Sequence, residues 1–299
     1  MNQAPMDSLP LSLHHAQTIE AALQAWRAEL GKDCLSDFFF SNLYLFRSVH
    51  DYRFWPGDKP RISGLTYDGQ RHVLPLFDLN QTSLAELQDM LAEHGFFYPV
   101  SAAVVAQLDA RAFDITAHEA DADYLYPADH FRHYRGQQLH KKKNQMQQLL
   151  ARGPVSSRPL NGECVDHAHA VLAQWLCDKH KTEDQADAQA CREALHLMQD
   201  LKLEGAVYYL DEQPIGFLLA QAINPSLAVM RFAKGVDAFT GVYQFMFHNF
   251  CVNRPALQWL NFEQDLGLPN FRQTKRSYNP SHMIQKYRVR LNQFTAQAN

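Results

Sequence analysis

Residues 259–280 read WLNFEQDLGLPNFRQTKRSYNP, and this segment decides the fold prediction. It begins as a buried strand, continues through a turn that holds Glu263 and Asp265, and ends in a short basic helix followed by Tyr278. A short apolar run bounded by Gly and Pro is typical of a core strand. The segment therefore predicts a strand whose end presents two carboxylates close to a group of cations.

The sequence before and after this segment predicts further strands and helices of an α/β module. Two helices, over 165–176 and about 187–202, come first, because their apolar residues recur at helical spacing. A hairpin turning at 211–214, a strand over 227–233, an apolar helix over 240–252 and a final strand over 282–291 complete the order.

The first half of the chain predicts a shorter version of the same order. Helices are expected over 15–30, 37–47 and 83–94, with Ser83 and Glu86 spaced as a capping box. A hairpin is expected over 61–77, turning at Asp68-Gly69, and a strand over 112–116. We therefore predict an α/β (α+β) chain of two similar modules, residues 1–125 and 126–299, each a mixed, mainly antiparallel twisted sheet flanked by helices.

A basic helix is predicted near the join between the modules. Leu139, Met146, Leu149 and Leu150 fall on one face of it, and the sequence Gly153-Pro154 ends it. The cations Lys141, Lys142 and Lys143 and the neighbouring Asn144 are expected on its other sides.

Composition and cysteine spacing place the chain among ordinary globular proteins. It has 299 residues, is 46% hydrophobic and 20% charged, and its five cysteines are too far apart for a CxxC metal site. The cysteines suggest a reducing compartment, and the N-terminus lacks signal-peptide features. No apolar run approaches the length of a membrane span. We therefore expect a cytoplasmic protein.

The positive charges are concentrated in two stretches. Residues 130–162 contain seven Lys or Arg and residues 266–299 contain six, and neither stretch contains an acid. If the stretches lie together, they form a basic surface that attracts the phosphates of RNA, a nucleotide or a lipid headgroup. The alternative is that these charges only balance acidic neighbours.

The order of elements resembles the GNAT acyltransferase fold, and the motifs resemble a more specific family. YRGQQLHKKKNQMQQL (134–149), NFEQDLGLPNFRQTKRSYNP (261–280) and FFFSNLYLFRSVHDY (38–52) are similar to the C-terminal domain of bacterial phosphatidylglycerol lysyltransferases and its soluble relatives. The resemblance spans about residues 36–291. It implies two tandem GNAT modules and transfer of an aminoacyl group from tRNA. The expected acceptor is an amine or hydroxyl of a small molecule, peptide or lipid headgroup.

The resemblance also implies where the reaction occurs. In GNAT folds the cleft opens where two central strands separate, here the strands over 227–233 and 257–262. Asp265, Tyr278 and Glu263 are the expected catalytic residues. The expected substrate-binding residues are Arg231, Asn261, Arg272, Lys275 and Arg276, with Lys234 and Gly235 also facing the donor. The residues expected to contact tRNA phosphates are Lys141, Lys142, Lys143, Asn144 and Arg135.

Each of these expectations has a plainer alternative. Asp265 could simply cap the helix that begins near Leu268, and the basic residues could form solvated helix faces. Cys164, His167 and His169 are close in sequence, but no fourth ligand has suitable spacing, so no metal is expected.

The donor is predicted from the loop that follows the strand over 227–233. Acetyl-CoA-using GNAT enzymes hold pyrophosphate on a Q/R-x-x-G-x-G/A loop, and the corresponding AKGVDAFTGVY (233–243) lacks that spacing. We therefore expect no bound cofactor and aminoacyl-tRNA as co-substrate. An acyl-CoA-dependent N-acyltransferase and a non-catalytic binding protein on the same fold are the alternatives.

Overall fold

The computed structural model describes residues 8–183 and 187–292. These residues form two compact units, one made of the chain up to Asp123 together with the segment from Ile284, and the other of Tyr124–Met283. The strands are β1 Leu9–Pro10, β2 Arg53–Trp55, β3 Arg61–Leu65, β4 Arg71–Pro75, β5 Phe97–Val100, β6 Phe113–Ala117, β7 Asp123–Pro127, β8 Val155–Pro159, β9 Glu204–Leu210, β10 Gln213–Asn224, β11 Leu227–Gly235, β12 Trp259–Asn261, β13 His282–Ile284 and β14 Tyr287–Leu291. The helices are α1 Ala16–Leu30, α2 Phe40–Leu45, α3 Leu84–His94, α4 Ala102–Val105, α5 Ala128–His133, α6 His140–Leu150, α7 Cys164–Asp178, α8 Ala188–His196, α9 Val242–Val252 and α10 Pro269–Arg276.

The first unit is built on a sheet of order β1-β2-β3-β4-β5-β14-β6. Its pairs are antiparallel except β4–β5, which is parallel. Helix α3 begins at the capping box that Ser83 and Glu86 form, as predicted. One face of the sheet packs in a core that includes Val73, Phe97 and Val289.

The second unit is built on a sheet of order β13-β7-β12-β11-β10-β9-β8. Neighbours β8 to β11 pair antiparallel, whereas β11 and β12 run parallel. Helix α9 is mostly buried, as its apolar sequence predicted. The predicted fold class of two mixed, mainly antiparallel sheets flanked by helices is confirmed.

The last predicted strand is wrong in one respect. Residues 282–291 form two strands in different sheets, because β13 belongs to the sheet of the second unit and β14 lies between β5 and β6 of the first. The described residues from Ile284 onward therefore belong with the N-terminal unit, not with a module of residues 126–299. The first boundary lies at Asp123/Tyr124, next to the predicted one.

Two buried cations hold β14 in the first sheet. Lys286 is fully buried and its ammonium lies 2.7 Å from Asp123 and 2.5 Å from Asp37. Arg288 is also fully buried and its Nε lies 2.8 Å from Asp121. Burial alone would lower the pKa of Lys286, but the two carboxylates outweigh burial and raise the pKa above its ordinary value. These cations are therefore structural parts of the core.

Candidate active site

The central strands β11 and β12 separate, as the GNAT resemblance predicted. Their parallel pairing ends at Val229 and Asn261, while β11 continues to Gly235. The register between β10 and β11 shifts beside this point, so that Arg231 is the extra residue of a β-bulge. We refer to the gap between the end of β12 and the second half of β11 as the cleft.

Arg231 and Glu263 form an ion pair at this cleft. The Arg231 side chain is 1% exposed and the Glu263 side chain 23% exposed. On its other side, the guanidinium donates from Nη2 to Oε1 of Gln221 at 3.1 Å. Because Arg231 is enclosed, the partly exposed carboxylate of Glu263 is the part of this pair that a substrate can reach.

The backbone after β12 is unusually bent. Glu263 and Leu266 have positive φ angles of 58° and 56°, a conformation that non-glycine residues seldom adopt. Asn261 is fully buried, and its Oδ1 accepts a hydrogen bond from the Glu263 backbone N–H at 2.7 Å. Asn261 therefore shapes the bend that presents Glu263, in place of the predicted direct contact with substrate.

Asp265 is a buried hub of this loop. Its carboxylate accepts hydrogen bonds from Tyr124 Oη at 2.7 Å, Gly267 N at 2.8 Å, and Arg272 Nε and Nη2 at 2.8 and 3.1 Å. Burial alone would raise the pKa of Asp265, but these hydrogen bonds from Arg272, Tyr124 and Gly267 outweigh it and hold the pKa below its ordinary value. The geometry makes Asp265 and Arg272 positioning residues that join the loop to α10.

Lys275 is held by the same loop. Its ammonium donates to the backbone carbonyls of Phe262 at 2.6 Å, of Glu263 at 3.1 Å and of Gln264. These contacts use the three donors of an ammonium group, so Lys275 ties the loop to α10 instead of facing a phosphate. Arg276 is exposed on the same helix. Burial and the hydrogen bond to Asp265 raise the pKa of Tyr124 to about 12, and Arg276 acts against this rise.

Helix α6 presents its three lysines differently. Lys141, Lys143 and Asn144 are exposed, whereas Lys142 is half-buried and its Nζ lies 4.0 Å from the ring centroid of Tyr278. Leu150, predicted on the packed face, is 42% exposed. Lys142 therefore lies on the packed face of α6. The predicted contact with tRNA phosphates is open only to the exposed Lys141, Lys143 and Asn144.

Tyr278 is the centre of a polar site within an aromatic cluster. It is 3% exposed, packs against Phe131, Phe247 and Phe262, and its Oη accepts a hydrogen bond from Nε2 of Gln244 at 2.9 Å. Burial raises the pKa of the Tyr278 phenol far above its ordinary value, so the phenol stays neutral. The electron-rich face of this neutral ring attracts the ammonium group of Lys142.

Helix α6 also lies directly against the start of α9. Gly241 has φ +97°, and a Cβ at this position would lie 2.0 Å from the backbone oxygen of Gln145. Only glycine allows so close an approach. The backbone of α6 thus packs against the N-terminus of α9. Acetyl-CoA-using GNAT enzymes carry their pyrophosphate-binding loop at this position.

A basic pocket lies at the turn between α5 and α6. Its volume is about 430 Å³, and Tyr134, Arg135, Gly136, Gln137, His140 and Lys143 line it. Tyr134 and Gly136 have φ angles of +45° and +87°, which turn the chain sharply and expose Arg135 beside Lys143. The arrangement suits an anionic group.

The structure thus divides the predicted site into two sets of residues. Enclosed are Arg231, Asn261, Asp265 and Tyr278, and the exposed or partly exposed ones are Glu263, Arg272, Lys275, Arg276, Arg135, Lys141, Lys142, Lys143 and Asn144. Lys234 is also enclosed, since its Nζ donates to Asp187 and lies 3.9 Å from the Trp175 ring centroid. Sequence reasoning missed Gln244 and Tyr124; a single glutamine within the apolar run 242–252 was the available signal for Gln244.

The fold places the chain in the class of α/β proteins built on two mixed, mainly antiparallel sheets flanked by helices. The sequence matches the family model described as phosphatidylglycerol lysyltransferase, C-terminal, over residues 29–290. Since this match covers most of the chain, the protein belongs to that family. Among the described residues, no helix is long and apolar enough to cross a membrane.

Solved structures with similar folds cover nearly the whole chain. A conserved protein of unknown function from Bacteroides thetaiotaomicron has a TM-score of 0.76 at 20% identity, with 96% of this chain and 100% of that chain covered. The C-terminal domain of a proposed lysylphosphatidylglycerol synthetase from Agrobacterium fabrum has a TM-score of 0.60 at 15% identity, with 93% of each chain covered. L-PGS from Bacillus licheniformis has a TM-score of 0.58 at 14% identity, with 96% and 94% covered.

A relative from Mycoplasmoides gallisepticum, an uncharacterized protein, is 26% identical over 181 residues. The match covers 58% of this chain and 58% of that relative, so the chain spans little more than half of its length.

Proposed function

We propose that this protein is a transferase that moves an aminoacyl group from aminoacyl-tRNA to an amine or hydroxyl acceptor. The ester that joins an amino acid to tRNA is already activated. The protein therefore has to orient the two reactants and transfer a proton from the attacking group to the leaving ribose oxygen. Membership of the lysyltransferase family is consistent with this chemistry.

The observation that carries the proposal is the outward basic face of the α5–α6 region. Arg135 and Lys143 line the pocket, and Lys141 extends the same positive surface along α6. Residues 130–162 contain no acid, and Asp129, just before them, is the carboxylate that interacts with the charge of Arg135. Such a surface binds a phosphate backbone through counterion release, with an affinity that falls steeply as salt rises.

The acceptor or the aminoacyl group would meet Glu263. This carboxylate is partly exposed at the cleft, and Arg231 fixes its position from the buried side. A carboxylate held in this way suits an ammonium group, which both an amino acid and an amine acceptor carry.

Aminoacyl-tRNA is favoured over acyl-CoA by the packing of α6 on α9. The backbone oxygen of Gln145 occupies the space beside Gly241, at the helix N-terminus that would have to receive a pyrophosphate. A CoA donor would therefore need a different phosphate site in this chain.

A binding experiment separates the two donors. The protein is titrated with aminoacylated tRNA, uncharged tRNA, CoA and acetyl-CoA at low and high salt, and thermal stability is recorded. The proposal predicts stabilisation by tRNA that is lost at high salt. Stabilisation by CoA or acetyl-CoA without any by tRNA would overturn it.

A further inference from the structure

Two large apolar side chains lie in solvent in the segment after β12. Leu268, the residue just before α10, and Phe271, in the first turn of that helix, are each 46% exposed. Residues three apart are neighbours on a helix, so the two side chains form one apolar patch. Exposed apolar side chains that lie together, unlike scattered ones, are candidates for contact with a ligand or partner.

Helix α10 is fixed to the loop that presents the candidate site. Arg272 donates two hydrogen bonds to the carboxylate of Asp265, and Lys275 donates to the backbone carbonyls of residues 262–264. Phe271 precedes Arg272 directly and Lys275 by one turn. The Phe271 ring is therefore exposed to solvent but carried by a helix that is anchored to the end of β12.

The ring lies on the cleft side of α10. Arg272 and Lys275 define the inward face of the helix, and Phe271 and Arg276 lie on opposite sides of that face, since successive residues are about 100° apart. Arg276 lies towards β7, because its guanidinium donates to the hydroxyl of Tyr124. In the sheet, β12 separates β7 from β11. The side of α10 away from β7, which carries Phe271, is therefore the side of the cleft.

The charges around the patch favour an anionic partner. The ionised side chains of residues 263–276 and of the partner on β11 are Arg231, Glu263, Asp265, Arg272, Lys275 and Arg276, four cations against two carboxylates. Residues 266–299 add no acid. A single-stranded nucleic acid matches both features, because its backbone is anionic and each base has a flat face that stacks on an aromatic ring.

The basic face of α6 leads to the same place. The Nζ of Lys142 on α6 lies 4.0 Å from the ring centroid of Tyr278, two residues beyond the end of α10. The outward lysines Lys141 and Lys143 flank Lys142 in the sequence. A strand whose phosphates lie on the basic face of α6 therefore meets α10 next.

We propose that Phe271, with Leu268 beside it, is the platform on which the 3′-terminal base of aminoacyl-tRNA stacks. This inference rests on the proposed function. The ribose of the terminal nucleotide carries the aminoacyl ester, so a donor whose aminoacyl group lies at the cleft places its last base on the adjoining surface. The cleft side of α10 is such a surface, and stacking there holds the end of the tRNA without using any charge.

The first test uses a fluorescent base. The 3′-terminal adenine of tRNA is replaced by 2-aminopurine, whose emission falls when it stacks on an aromatic ring. Binding to the wild-type protein and to Phe271→Tyr, which keeps a ring, should lower the emission. Phe271→Leu keeps apolar bulk without a ring, and it should lose this quenching, as should Phe271→Ala. Quenching that persists in Phe271→Ala, or its absence with the wild-type protein bound to tRNA, overturns the inference.

The second test measures the affinity for tRNA over a range of salt concentrations. Loss of one base stack should weaken binding about 5- to 150-fold in Phe271→Ala. The slope of log affinity against log salt should stay unchanged, because no charge is removed. Val252→Ala, which truncates an apolar side chain that is 49% exposed on α9, is the matched control and should bind as the wild type does. Wild-type affinity in Phe271→Ala, or an equal loss in Val252→Ala, overturns the inference.

A third measurement separates RNA from a lipid surface, which would also suit an apolar patch among cations. The same variants are sedimented with vesicles of phosphatidylglycerol and phosphatidylcholine. Loss of vesicle binding in Phe271→Ala, with tRNA affinity and quenching unchanged, overturns the inference and makes the patch a membrane contact. Binding of tRNA that does not depend on the ring overturns this inference alone. No binding of tRNA by the wild-type protein overturns the proposed function and this inference together.

Discussion

Arg272 is the most informative residue to change, because it pairs with a carboxylate that has no access to solvent. The Asp265 side chain is 0% exposed and the Arg272 side chain 30% exposed, and two hydrogen bonds of 2.8 and 3.1 Å join them. The change Arg272→Met keeps an unbranched apolar stem and leaves the carboxylate with Tyr124 and Gly267 alone. Removing one partner of a buried pair costs about 3–5 kcal/mol.

We expect a value at the lower end, about 3 kcal/mol, because Arg272 is partly solvated. The assay is urea unfolding followed by tryptophan fluorescence. The matched control is Gln273→Met, an exposed side chain on the same helix, which should change the free energy of unfolding by less than about 0.5 kcal/mol. Equal effects of the two variants would show that Asp265 and Arg272 do not hold the loop.

The same pair predicts a pH dependence with a definite sign. The pKa of Asp265 is lowered in the folded protein, so the unfolded chain binds its proton at a higher pH than the folded one. The stabilisation is therefore complete above the unfolded pKa of about 3.9 and is lost as the pH falls through the lower folded pKa. The cost of Arg272→Met should shrink over that acidic range, and a cost that stays constant would contradict the assignment.

Three further changes test other parts of the structure. Lys286→Met leaves two buried carboxylates without their cation, so we expect a loss of about 3–5 kcal/mol in thermal or urea unfolding, and a loss below about 1 kcal/mol would contradict the buried pairing. Gly241→Ala forces a side chain into left-handed backbone and against α6, so the melting temperature should fall, with about 1–3 kcal/mol from the backbone alone; an unchanged melting temperature would show that the helices are not in contact. The double change Lys141→Gln and Lys143→Gln should flatten the slope of log affinity for tRNA against log salt by about 1.5, and an unchanged slope would show that these lysines do not contact phosphate.

Local patterns were sufficient to predict most elements of the fold. The hairpins at Asp68-Gly69 and within the predicted turn 211–214 follow from turn chemistry, although the second turn is shorter, at 211–212. Helix α3 begins at its capping box. The sheet to which each strand belongs is not a local property. Residues 287–291 alternate like a strand in either module, and only the buried partners of Lys286 and Arg288 place them in the first.

The site was predicted at the level of segments and less well at the level of side chains. The acidic turn and basic helix do lie at the end of a central strand, but Lys275 is bound by backbone carbonyls that are invisible in a sequence. Helical spacing from Leu139 reaches Lys142 and then Gln145, so periodicity could have placed Lys142 inward. The charge of Lys142 favoured an exposed position instead. The aromatic cluster around Tyr278, on which Lys142 packs, comes from residues distant in sequence.

The most direct test of the central claim is a transfer assay with both donors. Total tRNA charged with labelled amino acids, and separately labelled acetyl-CoA, are incubated with the protein and an extract of candidate acceptors. Label that leaves the tRNA and appears in a product is then measured. The account predicts protein-dependent transfer from tRNA, retained in Lys141→Gln at saturating tRNA. Transfer from acetyl-CoA with none from charged tRNA would contradict it.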